Sequence, residues 1–275
     1  MNLSETKKFA CQIRKDVVTM IHQGGEGHPG PALSVADILA VLYNDFLNID
    51  PKRPKWNERD RFILSKGHAC PVLYAALARK GFISTDEYPT LRRYGSRLQG
   101  HPDIKTPGVD MTSGSLGNGL SIGLGMALAS RMQNIDNYVY VVTGDGELQE
   151  GVLWEAVNAA AKYRADRLIA FIDNNGMQSG GTVAEVGNMT NIAKRFEAFG
   201  WHVQEIDGHD IEAIYKAVIA AQNEKGIPSA IVAHTVKGKG VPFMEHNNAW
   251  HKGTPDAAQL KEALRALDAG LEASL

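Results

Sequence analysis

Two polar residues thirty positions apart carry the first chemical signal in this 275-residue chain. Asp145 sits between two glycines in "YVVTGDGELQEG" (140–151), directly behind a run of β-branched and aromatic residues. Asn175 sits in "FIDNNGMQSGG" (171–181), behind a second such run. Each run reads as a β-strand, and a strand, a helix and a strand fit the interval. A right-handed crossover between parallel strands brings both carboxyl ends to one edge of a sheet, so the carboxylate and the amide can meet. One carboxylate, one amide oxygen and a backbone carbonyl suit magnesium better than zinc, because magnesium takes hard oxygen donors and completes its shell with phosphate and water. Phosphate is then implied as a ligand. The glycines let backbone amides approach it, and the helix expected next presents its positive N-terminal end. The same residues also make an ordinary strand-to-helix turn, in which glycines allow a tight bend and Asp145 caps the helix.

The elements that must position these groups alternate along the chain. Strands are expected at "RFILS" (61–65), "YVYVVT" (138–143), "RLIAFID" (167–173), "WHVQEID" (201–207) and "SAIVAHT" (229–235). Segments with helical periodicity, such as "EGVLWEAVNAAAKY" and "DIEAIYKAVIAAQNEK", lie between them. That alternation predicts an α/β fold, doubly wound, with a mainly parallel sheet covered by helices on both faces. Ligands in such sheets bind beyond the carboxyl ends of the strands, where the Gly-Asp-Gly turn lies. Two helix starts are expected at capping-box spacing, Ser34 with Asp37 and Ser84 with Glu87. No internal repeat or low-complexity linker divides the chain, so residues 1–275 are expected to form a single domain, with 242–275 as a C-terminal loop and helix.

Composition excludes several classes of function. The chain is 44% hydrophobic and 22% charged, which is ordinary globular material. Its 29 basic and 31 acidic residues are interspersed, so no basic face recruits nucleic acid and no acidic arm solvates the chain. Two cysteines, Cys11 and Cys70, supply neither a disulfide framework nor a zinc cluster. The N-terminus lacks the apolar stretch of a signal peptide and no apolar run is long enough to span a bilayer, which points to a cytoplasmic protein acting on small molecules. A Gly-Lys-Ser/Thr loop is missing, and "GSLGNG" lacks the spacing of a dinucleotide turn, so nucleotide-binding readings weaken.

A Gly-Asp-Gly followed about thirty residues later by Asn-Asn resembles the magnesium and diphosphate motif of thiamine-diphosphate enzymes. Three further segments narrow the resemblance. "GEGHPGPALSVADIL" is similar to the opening His-Pro-Gly segment of transketolases, and "RFILSKGHACPVLYAAL" to their Ser-x-Gly-His-Ala segment. "LQGHPDIKTPGVDMTSGSLGNGLSIGLGMALA" is similar to their Gly-His-Pro and Gly-x-Leu-Gly-x-Gly segment. The order matches as well, and the likeness covers nearly the whole chain. The resemblance implies thiamine diphosphate and magnesium, or another divalent cation, as cofactors. It makes Asp145 and Asn175 side-chain metal ligands, completed by the backbone carbonyl of Met177, and sets Gly146 and His68 beside the diphosphate. Gly114, Ser115 and Leu116 match the segment bordering the aminopyrimidine. His28, His101 and a late histidine match the substrate channel; "WHKG" points to His251, with His246 as the alternative. Glu150 matches a glutamate in the carboxylate network between paired subunits. Glu26, Lys66 and Ser115 depart from the family pattern, which carries Ser, Asn and Pro at those places.

The activity so implied is transfer of a two-carbon ketol unit from a ketose or its phosphate to an aldose or its phosphate. In this family the glutamate that protonates the aminopyrimidine comes from a pyrimidine-binding domain across a dimer interface, and no such domain follows here. The chain therefore reads as the N-terminal subunit of a split transketolase, working with a separate C-terminal subunit in a homodimer-based or α2β2 assembly. The Gly- and Ala-rich segment from Gly114 to Ala129 is where close contact between subunits is expected. Three other readings remain at this stage: the α subunit of a 2-oxo acid dehydrogenase, a deoxyxylulose-phosphate-synthase-like enzyme, and a thiamine-diphosphate-binding regulatory protein without catalysis. The early Gly-His-Pro-Gly and Ser-Lys-Gly-His-Ala segments count against the first, and the retained channel histidines against the last.

Overall fold

β-Branched and aromatic residues concentrate in short runs whose odd and even positions are both apolar, the pattern of strands buried on two faces. In the computed structural model, which describes residues 1–275, these runs are β1 (Arg61–Leu64), β2 (Val139–Gly144) and β3 (Leu168–Asn174), then β6 (His202–Asp207) and β7 (Ser229–His234). A two-stranded antiparallel hairpin, β4 (Met177–Gln178) and β5 (Gly181–Thr182), lies between them in the chain. The five longer strands form one parallel sheet in the order β1-β2-β3-β7-β6. All five expected strands are present, each within a residue of its expected limits. The hairpin has no apolar run behind it and gives no signal in the sequence.

The helices are α1 (Leu3–Gly24), α2 (Pro29–Leu33), α3 (Ala36–Val41), α4 (Cys70–Arg79), α5 (Asn118–Met132), α6 (Gly151–Lys162), α7 (Val183–Gly187), α8 (Ile192–Ala198), α9 (Ile211–Asn223) and α10 (Ala257–Ser274). They divide between the two faces of the sheet, as a doubly wound fold requires. Tyr140, Val142, Ile169, Phe171 and Ile231 join the core beneath α1, α3, α4 and α9. Their neighbours Val139, Val141, Leu168, Ala170 and Val232 join a second core beneath α5, α6 and α8. Each large apolar side chain among them contributes about 1.5–3 kcal/mol on burial. α10 packs along α1, where the Cys11 thiol lies 3.4 Å from the Leu267 carbonyl and Lys15 pairs with Asp268. No helix is long and apolar enough to cross a membrane.

Two local expectations fail for identifiable reasons. Ser34 does not cap α3. It ends α2 in helical conformation, and its hydroxyl lies 2.7 Å from Asp173 Oδ2 and 3.1 Å from the Pro31 carbonyl, both acceptors. Val35 takes the cap position instead, and Asp37 is drawn inward to Arg14 and His209. The Ser84–Glu87 capping box does form, on a 3₁₀ turn over Thr85–Thr90. Asp145 opens a 3₁₀ turn over Gly146–Gln149, so α6 begins only at Gly151 and its N-terminal turn is not the one adjoining Asp145. Neither flanking glycine has a positive φ. Gly146 is needed for close approach, since a Cβ there would stand 2.9 Å from Gln178 Cβ.

Candidate functional site

The carboxyl ends of β1, β2 and β3 open into a cleft of about 400 Å³. Its floor is set by register: Gly144 of β2 pairs with Asp173 of β3, so the residues that follow both strands face each other across one gap. Asp145 is buried there. Its Oδ1 accepts the Gly146 N–H at 2.7 Å and its Oδ2 accepts the Gly176 N–H at 2.6 Å, which ties the two turns together. Asn175 turns its Oδ1 to the Met177 N–H at 3.0 Å and donates from Nδ2 to Asp173 Oδ2 at 2.9 Å. The crossover thus brings Asp145, Asn175 and Met177 to one wall of the cleft. Burial, and then the Asp173 carboxylate, push the Asp145 carboxyl up to about 7. A carboxylate so deprived of solvent calls for a cation to keep it ionised.

Asp173 is committed elsewhere. Burial alone would raise it, but the Lys66 ammonium at 2.5 Å from Oδ2, with the hydroxyls of Thr235 and Ser34, holds it below the usual carboxylate range. Lys66 also donates to the Pro31 carbonyl at 2.8 Å. A second ammonium, Lys237, enters from the loop after β7 and donates to Asn248 Oδ1 at 2.8 Å. Burial, and then Lys66, lower it to about 8. With Lys66 committed to Asp173, the Lys237 ammonium and the buried Asp145 carboxylate leave the cleft suited to an anion with a hard cation beside it. No group of three or more His, Cys, Asp and Glu side chains is arranged so that it could hold a metal ion by itself, which disfavours a zinc-type site.

Three histidines close the other wall. His28 precedes α2, His68 lies in the turn Gly67–Ala69 after β1, and His251 in the turn Asn248–His251 before α10. Their ring centroids are 5.2 Å (His28–His68), 5.4 Å (His68–His251) and 5.5 Å (His28–His251) apart. Burial lowers all three, helped by Arg92 at His28, Lys66 at His68 and Lys237 at His251. The values fall to about 4 for His28 and His251 and about 2 for His68, so the rings are neutral near pH 7. The Nδ1 atoms of His28 and His251 are buried without a hydrogen-bond partner. His246, the alternative to His251, is exposed and lies outside the cleft lining.

The remaining expected residues lie at the rim or outside. Leu116 and Glu150 line the cleft, whereas Gly114, Ser115 and His101 do not. His101 is exposed and lies over Gly114, where a Cβ would meet its ring carbon Cγ at 3.2 Å. Gly114 has φ 142°, and Gly117 has φ 82° with Glu150 Cβ 2.7 Å from its virtual Cβ, so the path of this loop beside His101 and Glu150 requires glycine at these two positions. Glu26 bridges Arg92, at 3.2 Å, and Lys252 beside the cleft mouth.

Four groups of the cleft are not expected as site residues from the sequence: Glu147, Asp173, Lys237, and Lys66, which stands out there only as a departure from the family pattern. Glu147 is buried and accepts from the Ser65 hydroxyl, from the Gly117 N–H at 2.7 Å and from the Gly144 N–H at 3.0 Å. It thereby joins the ends of β1 and β2 to the start of α5. The Lys-Gly-Lys-Gly run just after a strand, in "TVKGKG", is a signal that could have found Lys237. The donor set as a whole fits a diphosphate with magnesium: a buried carboxylate, an amide oxygen, a carbonyl and the Lys237 ammonium.

Residues 5–272 match the family described as transketolase, thiamine diphosphate binding domain. The chain is 42% identical to an apulose-4-phosphate transketolase subunit of Phocaeicola vulgatus over 94% of this chain and 92% of that one. It is 45% identical to a 6-deoxy-6-sulfo-D-fructose transketolase subunit of a Clostridium species, over 93% and 94%. The crystal structure of transketolase from Campylobacter jejuni superposes with a TM-score of 0.89 at 35% identity, covering 98% of this chain and 43% of the other. This chain thus spans less than half the length of that transketolase.

Proposed function

Because the chain belongs to the transketolase family, as its thiamine-diphosphate-binding part, we propose that it is the N-terminal subunit of a split transketolase, moving a two-carbon ketol unit from a ketose to an aldose. The observation that carries this reading is the meeting, in one cleft, of Asp145, Asn175, Met177 and Lys237 with three neutral histidines whose rings lie 5.2–5.5 Å apart. Cofactor binding alone has no use for three.

Asp145, Asn175 and the Met177 carbonyl would hold the magnesium; Lys237 and His68 would hold the diphosphate, with Gly146 lying against it; the Gly114–Leu116 rim would border the aminopyrimidine. Thiamine diphosphate, when bound, supplies the electron sink that lets the carbon–carbon bond of a ketose break. The protein's own work is to keep water out and to move protons. His28 and His251, neutral and each with an unpartnered Nδ1, exchange protons with substrate hydroxyls, and His101 does so from the rim. Glu150, exposed at the cleft edge, is placed to join a carboxylate network with the partner. The relatives to which this chain is similar act, by their names, on a sugar phosphate and a sulfosugar, which supports a ketose with an anionic far end as donor. Both cores share one sheet, in keeping with residues 1–275 as one domain. Two buried, unpaired cysteines fit a cytoplasmic enzyme.

The test is product analysis with a ketose phosphate donor, an aldose acceptor, magnesium and thiamine diphosphate. The chain alone is expected to be inactive, and the chain with a partner carrying the pyrimidine-binding domain to transfer two carbons. Robust turnover by this chain alone, or none with any such partner, overturns the reading.

A further inference from the structure

His209 lies behind the cleft, on the turn after β6, and is not among the residues that line it. Its Nδ1 is 2.8 Å from Asp37 Oδ2, and its Nε2 accepts the Val236 N–H at 2.8 Å. A backbone N–H can only donate, so Nε2 carries the lone pair and the ring proton sits on Nδ1, facing Asp37. Asp37 is gripped in turn by Arg14, whose Nη1 and Nη2 donate to Oδ1 and Oδ2 at 2.8 and 2.5 Å. The three side chains are 9%, 7% and 12% exposed for Arg14, Asp37 and His209. The connection from Arg14 to Val236 is therefore a buried strut anchored in α1 and α3.

What the strut supports is the loop after β7. Val236 is followed by Lys237, which enters the cleft, and by Gly238, whose N–H donates to the Gly30 carbonyl at 3.0 Å. Gly30 is two residues beyond His28, and a Cβ there would lie 2.8 Å from the Trp250 carbonyl and 3.2 Å from Lys237 Cγ. Small displacements of residues 236–238 would therefore be felt at the lysine, at the His28 segment and at the His251 turn.

We propose that His209, oriented by Asp37, is a positioning residue that holds the 236–238 loop so that Lys237 and the His28 segment keep their places in the cleft. Its functional consequence rests on the reading of the cleft as a diphosphate site. The paired measurements are amide hydrogen exchange and calorimetric titration with magnesium pyrophosphate, both on the full chain. His209→Ala removes the strut, but an unfolded variant would teach nothing, so the informative pair is His209→Gln and His209→Asn. Glutamine reaches the Nε2 position and restores an acceptor for Val236; asparagine replaces only the Nδ1 side and strands that N–H. His209→Asn is expected to speed exchange across 235–240 and to weaken pyrophosphate binding about tenfold. His209→Gln is expected to keep both near wild type, with similar melting points for the two variants. Wild-type exchange and affinity in His209→Asn, or equal losses in both variants, overturns the proposal. If the wild-type chain binds no pyrophosphate, the diphosphate reading fails, while the exchange comparison still decides whether the strut exists.

Discussion

Asp145 and the histidines across from it place opposite demands on the same cleft. The carboxylate needs a cation, so Asp145→Ala is expected to lower magnesium-dependent thiamine diphosphate affinity by on the order of a hundredfold or more, read by calorimetry, because the other buried carboxylates of the cleft, Asp173 and Glu147, are committed to protein donors. Unchanged affinity removes the residue from the metal site. The histidines need to stay neutral, and acid tests that directly. Below pH 6.5 an unfolded chain protonates its imidazoles, whereas folded His28 and His251 resist until about 4 and His68 until about 2. Protons then favour the unfolded state, so the cluster's stability is whole above pH 6.5 and drains away as pH falls toward 4. The melting point of the cofactor-free chain should drop across that window, and a His28→Gln, His68→Gln, His251→Gln variant should drop less. An equal decline in both would locate acid sensitivity elsewhere. At this scale the sequence is legible where a residue stands in a short motif, as Asp145, Asn175, His28 and His68 do. It is silent where a residue acts through a distant partner. Nothing local in the chain joins Lys66 to Asp173, 107 residues away, or Glu147 to Ser65, 82 residues away, because those contacts exist only once β1, β2 and β3 lie side by side.

α5 is legible in kind and only half legible in purpose. Its Gly- and Ala-rich composition marks it for close contact, and the structure divides the two sides of the helix between different surroundings. A Cβ on Gly119 would lie 2.2 Å from Ser65 Oγ, and one on Gly123 2.6 Å from Val141 Cγ2, so this side is pressed into the sheet. Gly125 faces open space. Gly119→Ala is therefore expected to cost about 1–3 kcal/mol through overpacking, and Gly125→Ala to gain about 1 kcal/mol in helix propensity. Thermal melts would show shifts of opposite sign; a loss from both would mean that the outer side is packed too. The five strands are legible because burial on both faces leaves continuous apolar runs. The cap expected at Ser34 fails because a buried carboxylate in another element competes for its hydroxyl.

As a whole the chain presents a cleft edged by Leu116 and Glu150, and the helix that follows Leu116 exposes apolar side chains, Ile122 at 40% and Met132 at 84%. Apolar side chains exposed on a helix beside the cleft favour contact with another chain, so, on the split-enzyme proposal, Ile122→Asp should leave the melting point of the chain unchanged within a few degrees and abolish co-purification with the proposed partner subunit. Retained assembly would place the interface elsewhere. The buried carboxylate of Glu147 has a different consequence at this scale. Its three partners, Ser65, Gly117 and Gly144, come from parts of the chain up to 82 residues away. Contacts of such long range are the slow ones in folding, since the intervening loops must close before any contact rewards them. The cleft is therefore expected to form late in folding, with Glu147 solvated until its three partners come together. Mutations that weaken this junction should show first as slow refolding and low yield of soluble protein, before any loss of catalytic competence in the molecules that do mature.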